Sequence, residues 1–213
     1  MTFHIVTLFP ELFNGFLSES IVKRAIERGT ITVKLYNPRD FTTDKHHKAD
    51  DRPFGDGPGM VMYAEPILRA VESITTQNSQ IAKHCYVMSP RGKKFSNSFA
   101  EGLKKNGNDV IIICGRYEGI DARVKKILGA QEVSIGPYTL SGGEVPAMVI
   151  IDAVARRLDG VLGNSTSIEE ERTAARYVYT RPELLEWKGK KYKVPKILLS
   201  GHHKNLEKWR EKH

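Results

Sequence analysis

Apolar positions recur along this chain in two alternating rhythms. Short runs rich in β-branched and aromatic residues read as strands: Phe3–Phe9 ("FHIVTLF"), Ile31–Asn37, Cys85–Ser89, Asp109–Gly115 and Gln131–Gly136. The fourth ("DVIIICG") is apolar throughout, as expected of a strand buried on both faces. Between these runs the spacing becomes helical. "ELFNGFLSESIVKRAIERG" puts Leu12, Phe16, Ile21, Ala25 and Ile26 on one face and stops at Gly29. Further helices are expected at Glu65–Ile74, Asn97–Lys105, Ile120–Leu128 and Val145–Leu158. Strands alternating with helices predict an α/β domain with a mainly parallel sheet, whose ligands bind beyond the carboxyl ends of the strands.

The pattern breaks in two places. Thr42–Met60 is long, polar and rich in proline and glycine, so it reads as a lid or a nucleic-acid contact. His46 and His47 lie within it, but adjacent histidines do not readily share one ion and no third ligand is suitably spaced, so no metal residues are assigned. The second break follows Leu158, where turn residues place a domain boundary near Gly163. Ser167 and Glu170 form a capping box for a short helix starting near Ile168, and a last helix is expected at about Asn205–Lys212.

The helix Val145–Leu158 has almost no polar face and must be covered all round. A second subunit would do this, as would a central position within one chain. The loop before it, "SIGPYTLSGGEVP", lacks the Lys-Ser/Thr of a phosphate-binding loop and the dinucleotide glycine spacing. There is also no Lys or Arg between Ser134 and Ala155. A polyphosphate is therefore disfavoured. The loop fits an uncharged heterocycle such as adenine, read by main-chain hydrogen bonds, or else a purely structural turn.

Charge changes the picture at the other end. The chain of 213 residues carries a net charge of +8. Residues 172–213 hold 12 Lys+Arg against 4 Asp+Glu, a net of +8, so the whole excess lies there. Its densest part, "WKGKKYKVPK" (Trp187 to Lys196), mixes lysines with Trp187 and Tyr192, as nucleic-acid surfaces do. The alternative is an ordinary solvated charge run. Cys85 and Cys114 sit in apolar runs and read as free core thiols of a reducing cytoplasm. No apolar run is long enough to span a membrane, and "MTFHIVTLFPELF" lacks the charged start and cleavage site of a signal peptide.

Eight stretches, in order, carry a resemblance: "LFPELF", "NPRDFTTDKHHKADDRPFGDGPGM", "SPRGKKF", "CGRYEGIDARV", "SIGPYTLSGGEVPAMVIIDAVAR", "GVLGN", "YTRPELLE" and "VPKILLSGHH". With them the chain resembles the TrmD family, the bacterial tRNA (guanine-N1)-methyltransferases of the SPOUT superfamily. The resemblance implies a catalytic domain over 1–163 with a C-terminal trefoil knot in its sheet. It implies a small helical, basic tRNA-binding segment over 164–213, shorter than usual for the family, and a homodimer with shared active sites. It implies S-adenosylmethionine as methyl donor, lined by Ser89, Pro90, Gly115, Tyr117, Glu118, Ile135, Gly136, Pro137, Tyr138, Thr139, Leu140 and Gly143. It also brings in Mg²⁺, for which the sequence shows no motif.

The implied reaction methylates N1 of the guanosine immediately 3′ of the tRNA anticodon. N1 carries a proton, so a base must remove it while a cation stabilises charge on O6. Arg156 matches the family's arginine; as a plain structural residue it would be a helix C-terminal cation, with Arg157 the competing surface residue. Where the family has Asp-Ser-Phe, this chain has Glu171-Arg172-Thr173 in a shortened segment. Glu171 is then the base, or Glu170 or Glu169 if the gap falls elsewhere; structurally, the three would only favour a helix N-terminus. That departure leaves open a SPOUT-type tRNA-binding protein with altered target or lost catalysis.

Overall fold

A computed structural model describes residues 1–76, 81, 84–107, 109–162, 177–201, 206, 208 and 209. The chain divides into two compact units, Met1–Gly163 and Asn164–His213.

In the first unit β1 (Thr2–Val6), β2 (Thr32–Tyr36), β5 (Cys85–Lys94), β6 (Val110–Ile113) and β7 (Gln131–Ser134) form one sheet. The order is β2-β1-β6-β5-β7 and every pairing is parallel. Alternate residues serve opposite faces. Phe3, Ile5, Val110 and Ile112 pack with α2 (Ser20–Glu27), α4 (Asn97–Asn106) and α6 (Glu144–Ala155). Val6, Ile111 and Ile113 pack with α3 (Ala64–Thr75) and α5 (Ala122–Leu128). The result is three layers with a central sheet. All four residues of β6 are buried, each side chain contributing about 1.5–3 kcal/mol by leaving water.

The helices begin and end for local reasons. Ser96 Oγ accepts from Phe99 N to cap α4, and Asp121 accepts from Arg123 N to cap α5. Both helices stop at a left-handed glycine, Gly107 and Gly129.

Three expectations for the first unit need correction. The single helix read from Glu11 to Gly29 is broken into a 3₁₀ turn (Pro10–Phe13), α1 (Asn14–Leu17) and α2. Ser18 Oγ turns back to the Gly15 carbonyl, Glu19 is extended and Ser20 takes a positive φ. Serine competes with the helix backbone and interrupts a pattern whose apolar spacing continues past it. The strand starting at Cys85 does not stop at Ser89 but runs to Lys94. Arg157, expected at the surface, is 4% exposed; it donates to Asn97 Oδ1 at 2.8 Å and to the Ala153 carbonyl.

The polar Thr42–Met60 stretch contains a short pairing of β3 (Asp50–Asp51) with β4 (Val61–Met62). Asp44 accepts from the backbone N–H of both His46 and Lys48, so it closes a turn around the two histidines.

In the second unit, β8 (Leu184–Trp187) and β9 (Lys190–Lys193) form an antiparallel hairpin, followed by α7 (Lys196–Leu199). The basic stretch expected in a helical segment thus lies largely on a hairpin. Its turn residues Lys188 and Gly189 both have positive φ, 48° and 75°, the two-residue geometry that matches strand twist. The helix starts near Ile168 and at Asn205–Lys212 fall wholly or mostly outside the described residues. No described helix is long and apolar enough to cross a membrane.

Candidate active site

A bulge within β5 and the loops that follow β6 and β7 lie side by side and enclose a cavity of about 480 Å³, within the range of small-molecule sites. The β5 contribution is a bulge. Met88 and Lys93 both register with Val133, so Ser89–Gly92 are pushed out of the ladder toward the cavity, a device common beside active sites. Gly92 is required there, because a Cβ would overlap the Glu132–Val133 peptide.

Every residue named for the cofactor except Pro137 lines this cavity. Ser89 and Pro90 come from the bulge, and Gly115, Tyr117 and Glu118 from the turn after β6. Ile135, Gly136, Tyr138, Thr139, Leu140 and Gly143 come from the loop before α6. Gly136 N–H is engaged by Ser134 Oγ at 3.2 Å, whereas Tyr138, Thr139 and Leu140 give their backbone N–H groups to no other described residue. The lining holds one cation, Arg91, and one carboxylate, Glu118. Arg91, Ser141 and Gly142 also line the cavity; each lies inside a motif that was read but was not named for the cofactor.

The wall is stiff. Tyr117 sits at φ 58°, a left-handed conformation that costs about 1–3 kcal/mol and persists only where neighbours enforce it. Gly143 N–H donates to the Gly115 carbonyl at 2.9 Å, and a Cβ on Gly143 would stand 2.6 Å from Cys114 Cα. The paired glycines therefore serve the close approach of two chain segments as well as any ligand. On the other side, Glu118 N–H donates to Met60 O, and Met62 N–H to Gly119 O, both at 3.0 Å. The end of the Thr42–Met60 stretch is thereby tied to the cavity's rim, and Phe54 within that stretch is fully exposed.

A buried polar cluster lies at the first turn of α6. Glu144 is 1% exposed and accepts from Thr7 Oγ1 at 2.8 Å. Its Oε2 is 2.9 Å from Arg116 Nε, though the N–H is not aimed at it, so the contact is an ion pair rather than a formed hydrogen bond. Arg116 also donates to Ser141 O at 3.3 Å and lies 4.5 Å from the Phe9 ring centre, a favourable cation–aromatic distance. Glu144 is the buried partner and Arg116 stays 19% exposed, so loss of the arginine leaves a buried carboxylate without its cation. The signal for this cluster was present in the sequence: a carboxylate opening a helix that is apolar apart from it and Asp152.

The cysteines are poor nucleophiles. Burial pushes the Cys85 thiol up to about 12 and raises that of Cys114, which also neighbours Glu144. A larger cavity of about 840 Å³ lies between α3 and α5. It reaches Cys85, at the amino end of β5, and shares no residue with the cavity between the β5 bulge and the loops that follow β6 and β7.

Arg156 stands at the far end of α6, as its C-cap. Twelve residues at ~1.5 Å each put it about 18 Å along the helix from the cavity of its own chain. Glu169, Glu170 and Glu171 lie outside the described residues.

With this geometry in hand, comparison with known proteins is decisive. The family model described as "tRNA (Guanine-1)-methyltransferase TrmD" matches residues 1–213. The chain belongs to the TrmD family. It is 49% identical to the tRNA (guanine-N(1)-)-methyltransferase of Carboxydothermus hydrogenoformans, covering 100% of this chain and 82% of the relative. It is 44% identical to that of Clostridioides difficile, covering 99% and 90%. Among solved structures, the tRNA (m1G37) methyltransferase of Aquifex aeolicus superposes with a TM-score of 0.81 at 38% identity, covering 100% of this TrmD-family chain and 88% of that one.

Proposed function

We propose that the chain transfers a methyl group from S-adenosylmethionine to N1 of the guanosine immediately 3′ of the anticodon in tRNA. One observation carries this reading: in a chain that matches the TrmD family throughout, all but one of the residues expected to hold the donor surround a single cavity with almost no charge. S-Adenosylmethionine supplies an electrophilic methyl group on a positive sulfur and has no phosphate to neutralise. Glu118 favours that positive charge, and the backbone donors of the loop before α6 suit adenine ring nitrogens.

Guanine N1 becomes a nucleophile only as its proton leaves. Glu171 takes that proton, or Glu170 if the segment is gapped differently, while Arg156 stabilises charge developing on O6. Arg156 and the cavity lie at opposite ends of α6, and Val145 and Val149, one helical turn apart, are 56% and 41% exposed. Two copies packed antiparallel along α6 cover these valines and bring each arginine to the other's cavity, as a two-fold interface allows. The proposal therefore includes a homodimer with shared sites. It also includes the trefoil knot through the cavity loops, a cytoplasmic location, and tRNA binding by residues 164–213. Mg²⁺ is assigned no residues, because no cluster of three or more His, Cys, Asp or Glu is placed for an ion among the described residues.

The test uses two unmodified tRNA transcripts, with guanosine or adenosine 3′ of the anticodon, incubated with S-adenosylmethionine and digested to nucleosides. The expected product is 1-methylguanosine from the guanosine transcript alone. Donor binding without methyl transfer would instead favour a tRNA-binding protein that has lost catalysis.

A further inference from the structure

We propose that Glu144 is a positioning residue for S-adenosylmethionine: through Arg116 it locks the turn after β6 against the loop before α6, and so sets the shape of the donor cavity. The inference rests on the donor site proposed above, and nothing in that proposal assigns Glu144 a role.

Neither Glu144, Arg116 nor Thr7 lines the cavity, yet their chain neighbours do. Gly115 and Tyr117 flank Arg116 in the wall, and Ser141, Gly142 and Gly143 lead directly into Glu144. Arg116 and Gly142 form an isolated antiparallel bridge, and Arg116 holds the Ser141 carbonyl as well. The two loops are thus joined by backbone on one side and by the carboxylate–guanidinium contact on the other. Thr7 ties that contact to the sheet: its Oγ1 donates to Glu144 at 2.8 Å and accepts from Phe9 N at 3.0 Å, and its own N–H donates to Tyr36 O at 3.0 Å. The fit is close enough that a Cβ on Gly142 would overlap Arg116 Nε.

Stability alone does not account for such a pair, since well-packed apolar residues of equal volume do as well or better than a buried ion pair. What apolar residues lack is direction. The directed bonds here run from Thr7 Oγ1 to Glu144 and from Arg116 to the Ser141 carbonyl, and the arrangement they hold leaves the backbone N–H groups of Tyr138–Leu140 pointing to no other described residue.

The experiment measures S-adenosylmethionine binding by calorimetry without tRNA, then steady-state methylation, on the full chain and its Glu144→Gln variant. Glu144→Gln keeps the volume and removes the charge. We expect the donor's Kd and KM to rise about ten- to hundredfold, the scale of a lost contact to a charged group. kcat at saturating donor and KM for tRNA should stay within about threefold, because the reacting groups are untouched. Thr7→Val, which removes one hydroxyl and is milder to folding, should shift donor Kd the same way by a smaller factor. Arg116→Gln combined with Glu144→Gln should weaken binding no more than the worse single change, as members of one interaction do. A Glu144→Gln variant that melts earlier but binds donor normally, or loses kcat with Kd unmoved, overturns the assignment while leaving the donor site intact. A wild-type chain that binds no S-adenosylmethionine overturns the donor site itself, and this assignment with it.

Discussion

The cavity wall and the hairpin of the second unit are built by opposite means. Around the cavity, main-chain groups, glycines and a buried ion pair are committed to one another, and the lining is almost free of charge. Along β8 and β9 all eight residues are exposed and three are lysines, with a fourth, Lys188, in the turn between them. The hairpin's register places Leu185, Tyr192, Trp187 and Lys190 on one face, an aromatic and basic surface with no competing internal partner for its rings among the described residues. A site held by shape discriminates by geometry and is damaged by small steric changes. A site held by charge tolerates such changes and responds to salt.

The largest expected effect breaks the chemistry without touching either surface. Glu171→Gln should lower kcat by about 10²–10⁴, the usual worth of a general base, with donor Kd unchanged; Arg156→Ala should do likewise. Single-turnover methylation at saturating donor and tRNA measures both. An equal loss in Glu170→Gln, with none in Glu171→Gln, would move the base by one position.

Next comes the shape of the cavity. Gly92→Ala pushes a methyl group into the Glu132–Val133 peptide, an overpacking of about 1–3 kcal/mol. Stability falls by that amount, and because the bulge lining the cavity must shift, donor affinity should fall about tenfold, while tRNA affinity stays put. A lysine of the hairpin changed to alanine should do the reverse.

The smallest effect is one of pH. Burial lowers the His4 pKa below its ordinary 6.5, outweighing the charge of Asp109, and the ring nitrogen Nδ1 lies 2.9 Å from Tyr36 Oη. A depressed folded-state pKa means that the unfolded chain binds the proton more readily, so stability is full above pH 6.5 and declines as pH falls through the lowered value. The melting temperature should drop modestly between pH 7 and 5, and less in His4→Gln.

Sequence pattern was strongest where one force acts alone. The all-apolar β6 and the largely apolar α6 were legible because burial explains every residue of the first and most of the second. The cavity residues were legible through their motifs and through the absence of lysine and arginine from the loop before α6. What escaped depended on partners distant in the chain or on weak local signals. Thr7 and Glu144 meet across 137 positions, which no window of sequence spans. The β5 strand hides its continuation because Pro90 and Arg91 of its bulge, and Lys93 and Lys94 after it, break the apolar alternation. The hairpin was obscured by its lysines, although Lys188–Gly189 between two runs containing Trp187 and Tyr192 is a turn signal of the kind that two-residue hairpins use.

The most direct test of this division is a salt titration of both ligands on one sample. Kd for S-adenosylmethionine and for tRNA would be followed from about 50 to 200 mM salt, the span over which phosphate contacts lose most affinity. The account predicts a nearly flat line for the donor and a steep fall for tRNA, its slope shrinking by about 0.7–0.9 for each hairpin lysine that contacts a phosphate and is replaced by alanine. A donor affinity that falls as steeply as that of tRNA, or a tRNA slope unmoved by the loss of Lys190, Lys191 and Lys193 together, would contradict it.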